Sequence, residues 1–178
     1  ELAAKPEAGR ISFVQGVSPE EPSPLPALAK SFGRVARDPR FVLSYGDSEG
    51  YEPLRESIAA RMNARGANGI SPNNIIILTG STQGIAIVAQ SLAEPGDEII
   101  VESPSYPGAL QVFQINGLRA IPVPVDDDGM RVDNIEAILR TRRPRFIYTM
   151  PSLHNPTNTT MNADRRERLA TIARRAGS

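Results

Sequence analysis

The sequence predicts an α/β fold in which helices cover both faces of a mostly parallel sheet, giving three αβα layers. From residue 75 onward, short continuous apolar runs alternate with helical patterns. A continuous apolar run, such as residues 75–78, is typical of a strand that is buried on both faces. Turn-forming Gly, Pro, Asn and Asp residues separate most of these segments, as expected where helices connect parallel strands.

The chain before residue 75 is predicted to consist of helices and loops. Residues 1–24 are polar and Pro-rich, which is typical of a linker or an arm. Two helical spacings follow, one ended by Asp38-Pro39 and one that begins near Pro53 and stops at Gly66. Their apolar positions are Leu25, Leu28, Phe32 and Val35 in the first helix, and Leu54, Ile58 and Met62 in the second.

Four strands and four helices are predicted from residue 75 to the end of the sequence. The strands are expected at residues 75–78, 98–102, 119–123 and 146–150, and the helices at 82–93, 108–115, 133–139 and 163–176. Pro122 has no N–H group to donate, so its strand is expected at an edge of the sheet. Asp133 is expected to cap its helix, and Leu169 and Ile172 are expected to face the core.

The composition excludes several classes of function. Among 178 residues, 20 are basic and 20 acidic, so net charge gives no argument for nucleic acid or a membrane surface. The absence of cysteine excludes disulfides and thiolate metal sites, and favours a cytoplasmic location. No apolar run approaches membrane-spanning length. The only histidine, His154, is interpreted as a packing or pocket-rim residue and not as a base.

A predicted anion site lies between the strand at 75–78 and the helix that follows it. Gly80 lets the backbone approach a ligand, and the free N–H groups at a helix start favour a phosphate. Ser81 and Thr82 add hydroxyl groups, and Gln83 completes the segment. An ordinary helix N-cap without a ligand is the alternative interpretation.

Two more segments follow the ends of predicted strands. Tyr106, after the second strand, could stack on a flat ligand or could simply pack over its turn. Asn155 is followed by Pro156, which orients its amide to hydrogen-bond a polar group. Ligands bind at the carboxyl ends of strands in such sheets. The anion site, the aromatic ring and the amide together predict a pocket for a flat ring that carries a phosphate and a polar oxygen.

These segments resemble the large domain of the fold-type-I, class I/II pyridoxal-phosphate aminotransferases. Within that family, the chain is similar to the branch that holds 2-aminoadipate and kynurenine aminotransferases and the MocR-type GntR transcriptional regulators. The resemblance runs from about residue 45 to the end of the sequence. Its segments are Tyr45-Gly46 with Gly50, Leu54-Arg55, residues 80–83, residues 95–97, residues 104–108 and residues 154–157.

The resemblance implies a cofactor, pyridoxal 5'-phosphate, and a role for each matched residue. Gly80, Ser81, Thr82 and Gln83 would hold the phosphate, Tyr106 would stack on the ring, and Asn155 would bond its phenolic oxygen. Tyr45 would reach the phosphate in the neighbouring subunit of a homodimer. Gly16 would approach the substrate carboxylate.

The implied activity is amino-group transfer between an amino acid and a 2-oxo acid. The alternative is an effector-sensing domain of a MocR/GntR-type regulator, which would contact DNA only if a winged-helix domain precedes residue 1. Neither alternative implies a membrane or a metal. The sequence does not name the substrate or the effector.

Two departures from the family pattern are visible. Asn158 stands where the family usually has Gly, and Asn best tolerates the left-handed backbone expected there. The family's cofactor-bearing lysine, pyridine-pairing Asp and carboxylate-binding Arg lie beyond the matched segments, and the only lysines are Lys5 and Lys30. Residues 1–40 are therefore interpreted as an arm with the first helix, and 41–178 as the first part of an incomplete large domain. This piece alone is expected to be inactive, and we hypothesise that it was truncated or proteolysed.

Overall fold

A four-stranded sheet lies at the centre of the part of the chain that begins at Ile77. The computed structural model of the chain describes residues 24–39 and 45–177. The strands are β1 (Glu98–Ser103), β2 (Arg119–Asp126), β3 (Gly129–Met130) and β4 (Ile147–Tyr148), in the order β3-β2-β1-β4. Strand β1 pairs in parallel with β2 and β4, and β3 pairs antiparallel with β2. The predicted, mostly parallel sheet is confirmed.

Helices cover both faces of this sheet. They are α3 (Ser81–Leu92), α4 (Pro107–Ile115), α5 (Val132–Leu139) and α6 (Ala163–Ala176). Because successive side chains of a strand point to opposite faces, Ile99 and Val101 pack with α3 and α4, while Ile100 packs with α5 and α6. All three side chains are buried. The three αβα layers follow from this alternation along β1.

Each face has its own apolar core. On one face, Phe113 of α4 lies with its ring 5.8 Å from the ring of Phe146 and 5.3 Å from that of Tyr148. On the other, Val123 and Met130 meet the inward side of α5 and α6, including the predicted inward residues Leu169 and Ile172. Burying a large aliphatic or aromatic side chain contributes about 1.5–3 kcal/mol, so these contacts stabilise the layered arrangement.

The part of the chain that ends at Ile76 forms a separate unit. It contains α1 (Leu25–Val35), α2 (Glu52–Ala64) and a short 3-10 helix (Pro72–Asn74). The buried guanidinium of Arg55 donates to the carbonyl of Gly50 at 3.0 Å and to that of Pro72 at 3.1 Å. Arg55 therefore joins the loop before α2 to the 3-10 helix after it.

The predicted apolar side of α2 is not its buried side. Leu54 and Met62 are exposed in the described part of the chain, whereas Arg55 and Ala59 are buried. Arg55 and Ala59 are four residues apart, so they share one face of the helix. The Arg55 hydrogen bonds attach that face to the carbonyls of Gly50 and Pro72. Gly66, at φ 98°, ends the helical segment as predicted.

The predicted strand at residues 75–78 is not formed. The segment pairs with no strand among the described residues, and Ile76 is exposed. A strand is defined by its ladder of backbone hydrogen bonds, so an apolar run without a neighbour remains merely extended. The apolar pattern indicated burial, but it could not indicate which strand would supply the ladder.

The predicted strand at residues 146–150 is shorter than expected. Its ladder continues before β4, where Ile100 donates to the Phe146 carbonyl at 3.0 Å. After β4 it stops, because the Met150 N–H donates at 2.8 Å to the side chain of Glu102 instead of to a backbone carbonyl. The strand therefore ends where a side chain replaces the backbone partner.

Three smaller expectations are corrected or confirmed. The N-cap of α5 is Arg131, and Asp133 pairs with Arg168 at 2.7 Å instead of capping the helix. Strand β3 was not predicted, since two residues give no periodic pattern. Pro122 was expected on an edge strand, but β2 lies between β3 and β1. Because β3 pairs only with Val125 and Asp126, no strand among the described residues pairs with Pro122 on that side.

Candidate functional site

The start of α3 offers free hydrogen-bond donors at the predicted anion site. The first intrahelical bond is donated by Gly84 to the Gly80 carbonyl, so the N–H groups of Ser81, Thr82 and Gln83 precede the ladder. No side chain caps this helix, and nothing else in the described ranges accepts from these groups. Ser81 and Thr82 therefore do not form a side-chain N-cap for α3, and the binding of an anion there stays a prediction.

The side chain of Gln83 is already engaged within this segment. Its carbonyl oxygen accepts from the Thr79 backbone N–H at 2.8 Å and from the Thr79 hydroxyl at 2.9 Å. These bonds fold the end of the extended segment against the first turn of α3. Gln83 can therefore offer a ligand its backbone N–H and its side-chain NH₂, but its carbonyl oxygen is shared with Thr79.

The ring of Tyr106 lies just after β1, at the start of α4. It is partly buried and packs against the apolar core formed by α3, α4 and β1. The ring folds back over Gly108, where a β-carbon would come 2.5 Å from the Tyr106 Cζ atom. A side chain at 108 would therefore force the Tyr106 ring to move.

Tyr148 lies near both the start of α3 and Tyr106. Tyr148 and Ser81 line one open cleft of about 360 Å³ whose other lining residues are mostly apolar. Burial raises the pKa of the Tyr148 hydroxyl, and the nearby Glu102 and Tyr106 raise it further. The cleft, the Tyr106 ring and the Glu102 carboxylate therefore meet around Tyr148, at the carboxyl edge of the sheet.

Asn155 follows β4 in a turn that is closed by its own hydrogen bonds. The backbone of His154 donates to the Thr159 carbonyl at 2.8 Å. Asn158 has φ 60°, the left-handed conformation expected for it. Asn155 itself is exposed, and within the described ranges its side-chain amide has no hydrogen-bond partner. The amide is therefore available to a ligand.

A buried carboxylate that the sequence patterns did not predict anchors this turn. Glu102 is 2% exposed and accepts from the Thr149 hydroxyl at 2.7 Å and from the Met150 N–H at 2.8 Å. His154 is equally buried, in agreement with its interpretation as a packing residue. A lone acidic residue at the end of the apolar run Ile99 to Val101 was the signal that could have found Glu102.

The structure brings some of the predicted site residues together and leaves others apart. Ser81, Thr82 and Gln83 start α3, while Tyr106 and Asn155 follow the carboxyl ends of β1 and β4. Tyr45 is fully exposed in the other unit. Gly16 lies outside the described residues.

The chain belongs to the aminotransferase class I and II family, which matches it over residues 11–178. It is similar to a 2-aminoadipate transaminase of Thermus thermophilus, with 34% identity over 95% of this chain and 41% of that enzyme. It is also similar to the uncharacterized HTH-type transcriptional regulator YdfD of Bacillus subtilis, with 29% identity over 92% of this chain and 33% of the regulator. The predicted family is confirmed, and both kinds of relative in the predicted branch are represented.

A solved structure supports the same assignment. LysN, the α-aminoadipate aminotransferase from Thermus thermophilus complexed with N-(5'-phosphopyridoxyl)-L-leucine, matches with a TM-score of 0.79 and 33% identity. The match covers 86% of this chain and 38% of LysN. The chain spans about two fifths of the length of two curated aminotransferase relatives that it matches. The predicted fold, an incomplete aminotransferase-like large domain, is confirmed.

In the described part of the chain, no helix is both long and apolar enough to cross a membrane. The sequence contains no lysine after Lys30. The candidate site among the described residues therefore contains no lysine amine.

Proposed function

We propose that the full-length protein containing this chain binds pyridoxal 5'-phosphate and transfers an amino group between an amino acid and a 2-oxo acid. The observation that carries the proposal is the free N–H groups of Ser81, Thr82 and Gln83 beside the end of β4, since Ser81 shares a cleft with Tyr148. The exposed, unpartnered amide of Asn155 follows the same strand. A helix start favours a phosphate, and a free amide favours a ring oxygen. The residues present therefore fit this cofactor.

Each residue has one part in this proposal. Gly80 lets the backbone come close to the phosphate, and the N–H groups after it bind the phosphate oxygens. Tyr106 covers the ring, and Asn155 donates to its phenolic oxygen. When bound, pyridoxal phosphate supplies an aldehyde and an electron-withdrawing ring that let bonds at the α-carbon of an amino acid break. The chain's own residues bind and orient this group and do not move its protons.

The remaining parts of the site belong to the full-length protein. We place the cofactor-bearing lysine outside this chain, since neither Lys5 nor Lys30 lies near the end of a sheet strand in sequence. Tyr45 would complete the neighbouring site of a cytoplasmic homodimer, and Gly16 would approach the substrate carboxylate. Residues 1–40 would then be an arm with the first helix, and residues 41–178 the first part of the large domain.

A second candidate is an effector-sensing domain of a transcription regulator. Its support is the similarity to the HTH-type regulator YdfD over 92% of this chain. The same pocket would then hold the cofactor, and an amino acid would act as a signal. A DNA-binding domain before residue 1 in the full-length gene product would favour this candidate.

Absorbance titration of the full-length protein with pyridoxal phosphate tests the proposal. We expect the wild-type protein to bind, and Asn155→Ala to bind about tenfold more weakly because one hydrogen bond to a charged oxygen is lost. Asn68→Ala, at an exposed asparagine, is the matched control and should bind like the wild type. No binding by the wild type would refute the proposal. Binding without amino transfer, together with amino-acid-dependent DNA binding, would favour the regulator.

A further inference from the structure

Glu102 and His154 form a buried polar pair beneath the Asn155 turn. Each is 2% exposed, and the His154 Nε2 atom lies 3.2 Å from Glu102 Oε2. The two groups attract each other when the imidazole is protonated, although their geometry is not that of a hydrogen bond. Buried ionisable groups are costly without partners, so such a pair requires a reason.

Glu102 ties together the ends of two strands. The backbone pairing between β1 and β4 ends at Val101 and Tyr148. Beyond that point, both oxygens of Glu102 accept from the chain that leaves β4, one from the Thr149 hydroxyl and one from the Met150 N–H. The carboxylate thus continues the connection between these strands after their ladder has stopped.

His154 carries this connection into the turn itself. On the side away from Glu102, its Nδ1 atom lies 2.8 Å from the Thr157 hydroxyl, and its backbone N–H donates to the Thr159 carbonyl at 2.8 Å. The imidazole therefore spans from the β1 carboxylate to the far side of the turn. Asn155, the next residue, is exposed and makes none of these contacts.

We propose that Glu102 and His154 are a positioning pair that orients the Asn155 amide towards the bound ring. This inference rests on the proposed function and goes further, because it assigns a role to two residues that do not touch the ligand. A rigid support for a ligand-binding side chain raises its contribution, since less ordering is needed on binding. If residue 154 only filled space in the core, an apolar side chain would serve there equally well.

The first test measures backbone hydrogen exchange in the cofactor-free, full-length protein. We expect His154→Leu to speed exchange of the amides in residues 153–160 about tenfold, as for the loss of the hydrogen bond between Nδ1 and the Thr157 hydroxyl. His154→Gln, which keeps a polar group beside Glu102, should restore much of the protection. Unchanged exchange in His154→Leu would overturn the proposal.

Two further variants test the pair without changing a buried residue. Thr157→Val removes the Nδ1 partner, together with the contacts of the same hydroxyl to Thr159, at an exposed position. It should therefore speed exchange in the turn without unfolding the protein. Leu153→Ala is the matched control, because Leu153 is exposed and its side chain makes no polar contact. Equal exchange in Thr157→Val and Leu153→Ala would also contradict the pair's role.

The second test measures the absorbance spectrum of bound pyridoxal phosphate. Asn155→Ala should shift the absorbance maximum of bound pyridoxal phosphate, and His154→Leu should shift it in the same direction. The double variant should show no further shift, because both changes disturb the same contact between the Asn155 amide and the ring. A wild-type spectrum in His154→Leu would overturn the proposal. If the wild-type full-length protein binds no cofactor, the proposed function fails, and the exchange experiment alone decides whether the pair positions the turn.

Discussion

The ring of Tyr106 occupies the space that a side chain at Gly108 would need. A β-carbon at 108 would lie 2.5 Å from Tyr106 Cζ and 2.6 Å from its hydroxyl oxygen. Non-bonded carbon atoms normally keep about 3.5–4 Å apart, so the two groups exclude each other. The first turn of α4 is thus shaped by the aromatic ring that we propose covers the cofactor.

Gly108→Ala is therefore expected to displace the Tyr106 ring. The unfolding free energy should change by less than about 1 kcal/mol, because the gain in helix propensity offsets the lost ring packing. Pyridoxal phosphate binding by the full-length protein should weaken several-fold. Gly33→Ala, where nothing lies within 4 Å of the added β-carbon, should leave binding unchanged. Equal affinities of the two variants in a cofactor titration would contradict this role of the ring.

Thr149→Val tests the anchoring of β4 by Glu102. The variant removes a hydroxyl that donates to the Glu102 carboxylate at 2.7 Å and leaves that oxygen short of one partner. We expect unfolding to require about 1.5–3 kcal/mol less free energy, as for a lost hydrogen bond to a charged group. Denaturant titration measures the loss, and Thr149→Ser should recover most of it. The exposed control Thr141→Val should change stability by no more than about 0.5 kcal/mol.

Arg55→Lys tests the buried guanidinium of the first unit. Its Nε and Nη1 atoms donate to the carbonyls of Gly50 and Pro72. A lysine cannot make both bonds with one ammonium group in the same geometry, so about 1–2 kcal/mol of local stability should be lost. Limited proteolysis should then cut residues 45–76 faster. If Arg55→Lys is cut no faster than the exposed control Arg61→Lys, the two bonds do not stabilise this unit.

The ion pair between Asp126 and Arg165 predicts a contribution to acid stability. The Arg165 Nη1 atom lies 2.5 Å from Asp126 Oδ1, and this hydrogen bond holds the pKa of the carboxyl below its ordinary 3.8. A lowered pKa in the folded state stabilises the protein fully above the ordinary value. The contribution is lost as the pH falls through the lowered folded value, because the unfolded chain binds the proton first.

The measurement is denaturant stability of Asp126→Asn against the wild type between pH 7 and pH 2. The variant should be less stable at pH 7, and the difference should shrink below pH 3.8. The carboxylate is 42% exposed, so the effect should be small and should weaken further in 1 M salt. Asp127→Asn, which lacks the Arg165 contact, is the charge-matched control. A difference that stays constant with pH would contradict the assignment.

The layered fold could be predicted because its signals are local. The continuous apolar run from Ile99 to Val101, and turn residues such as Asn158, depend on neighbours in sequence. The predicted strand at residues 75–78 was wrong, because a strand needs a hydrogen-bonded partner that lies elsewhere in the chain. The prediction for Leu54 and Met62 was wrong, because Arg55 and Ala59 form the buried face of α2.

The residues of the candidate site likewise fall into those that local patterns predicted and one that depends on distant contacts. Ser81, Tyr106 and Asn155 were predicted because each follows an apolar run and carries a recognisable turn or helix start. Glu102 was missed, since its importance comes from contacts with Thr149 and Met150, which lie far along the chain. Such pairings become visible only when the strands are placed side by side.

A crystal structure of the full-length protein with pyridoxal phosphate tests the central claim most directly. We predict the phosphate at the N–H groups of Ser81, Thr82 and Gln83, and the Asn155 amide within about 3 Å of the ring oxygen. A cofactor bound elsewhere, or bound with Asn155 turned away from its ring, would contradict the account.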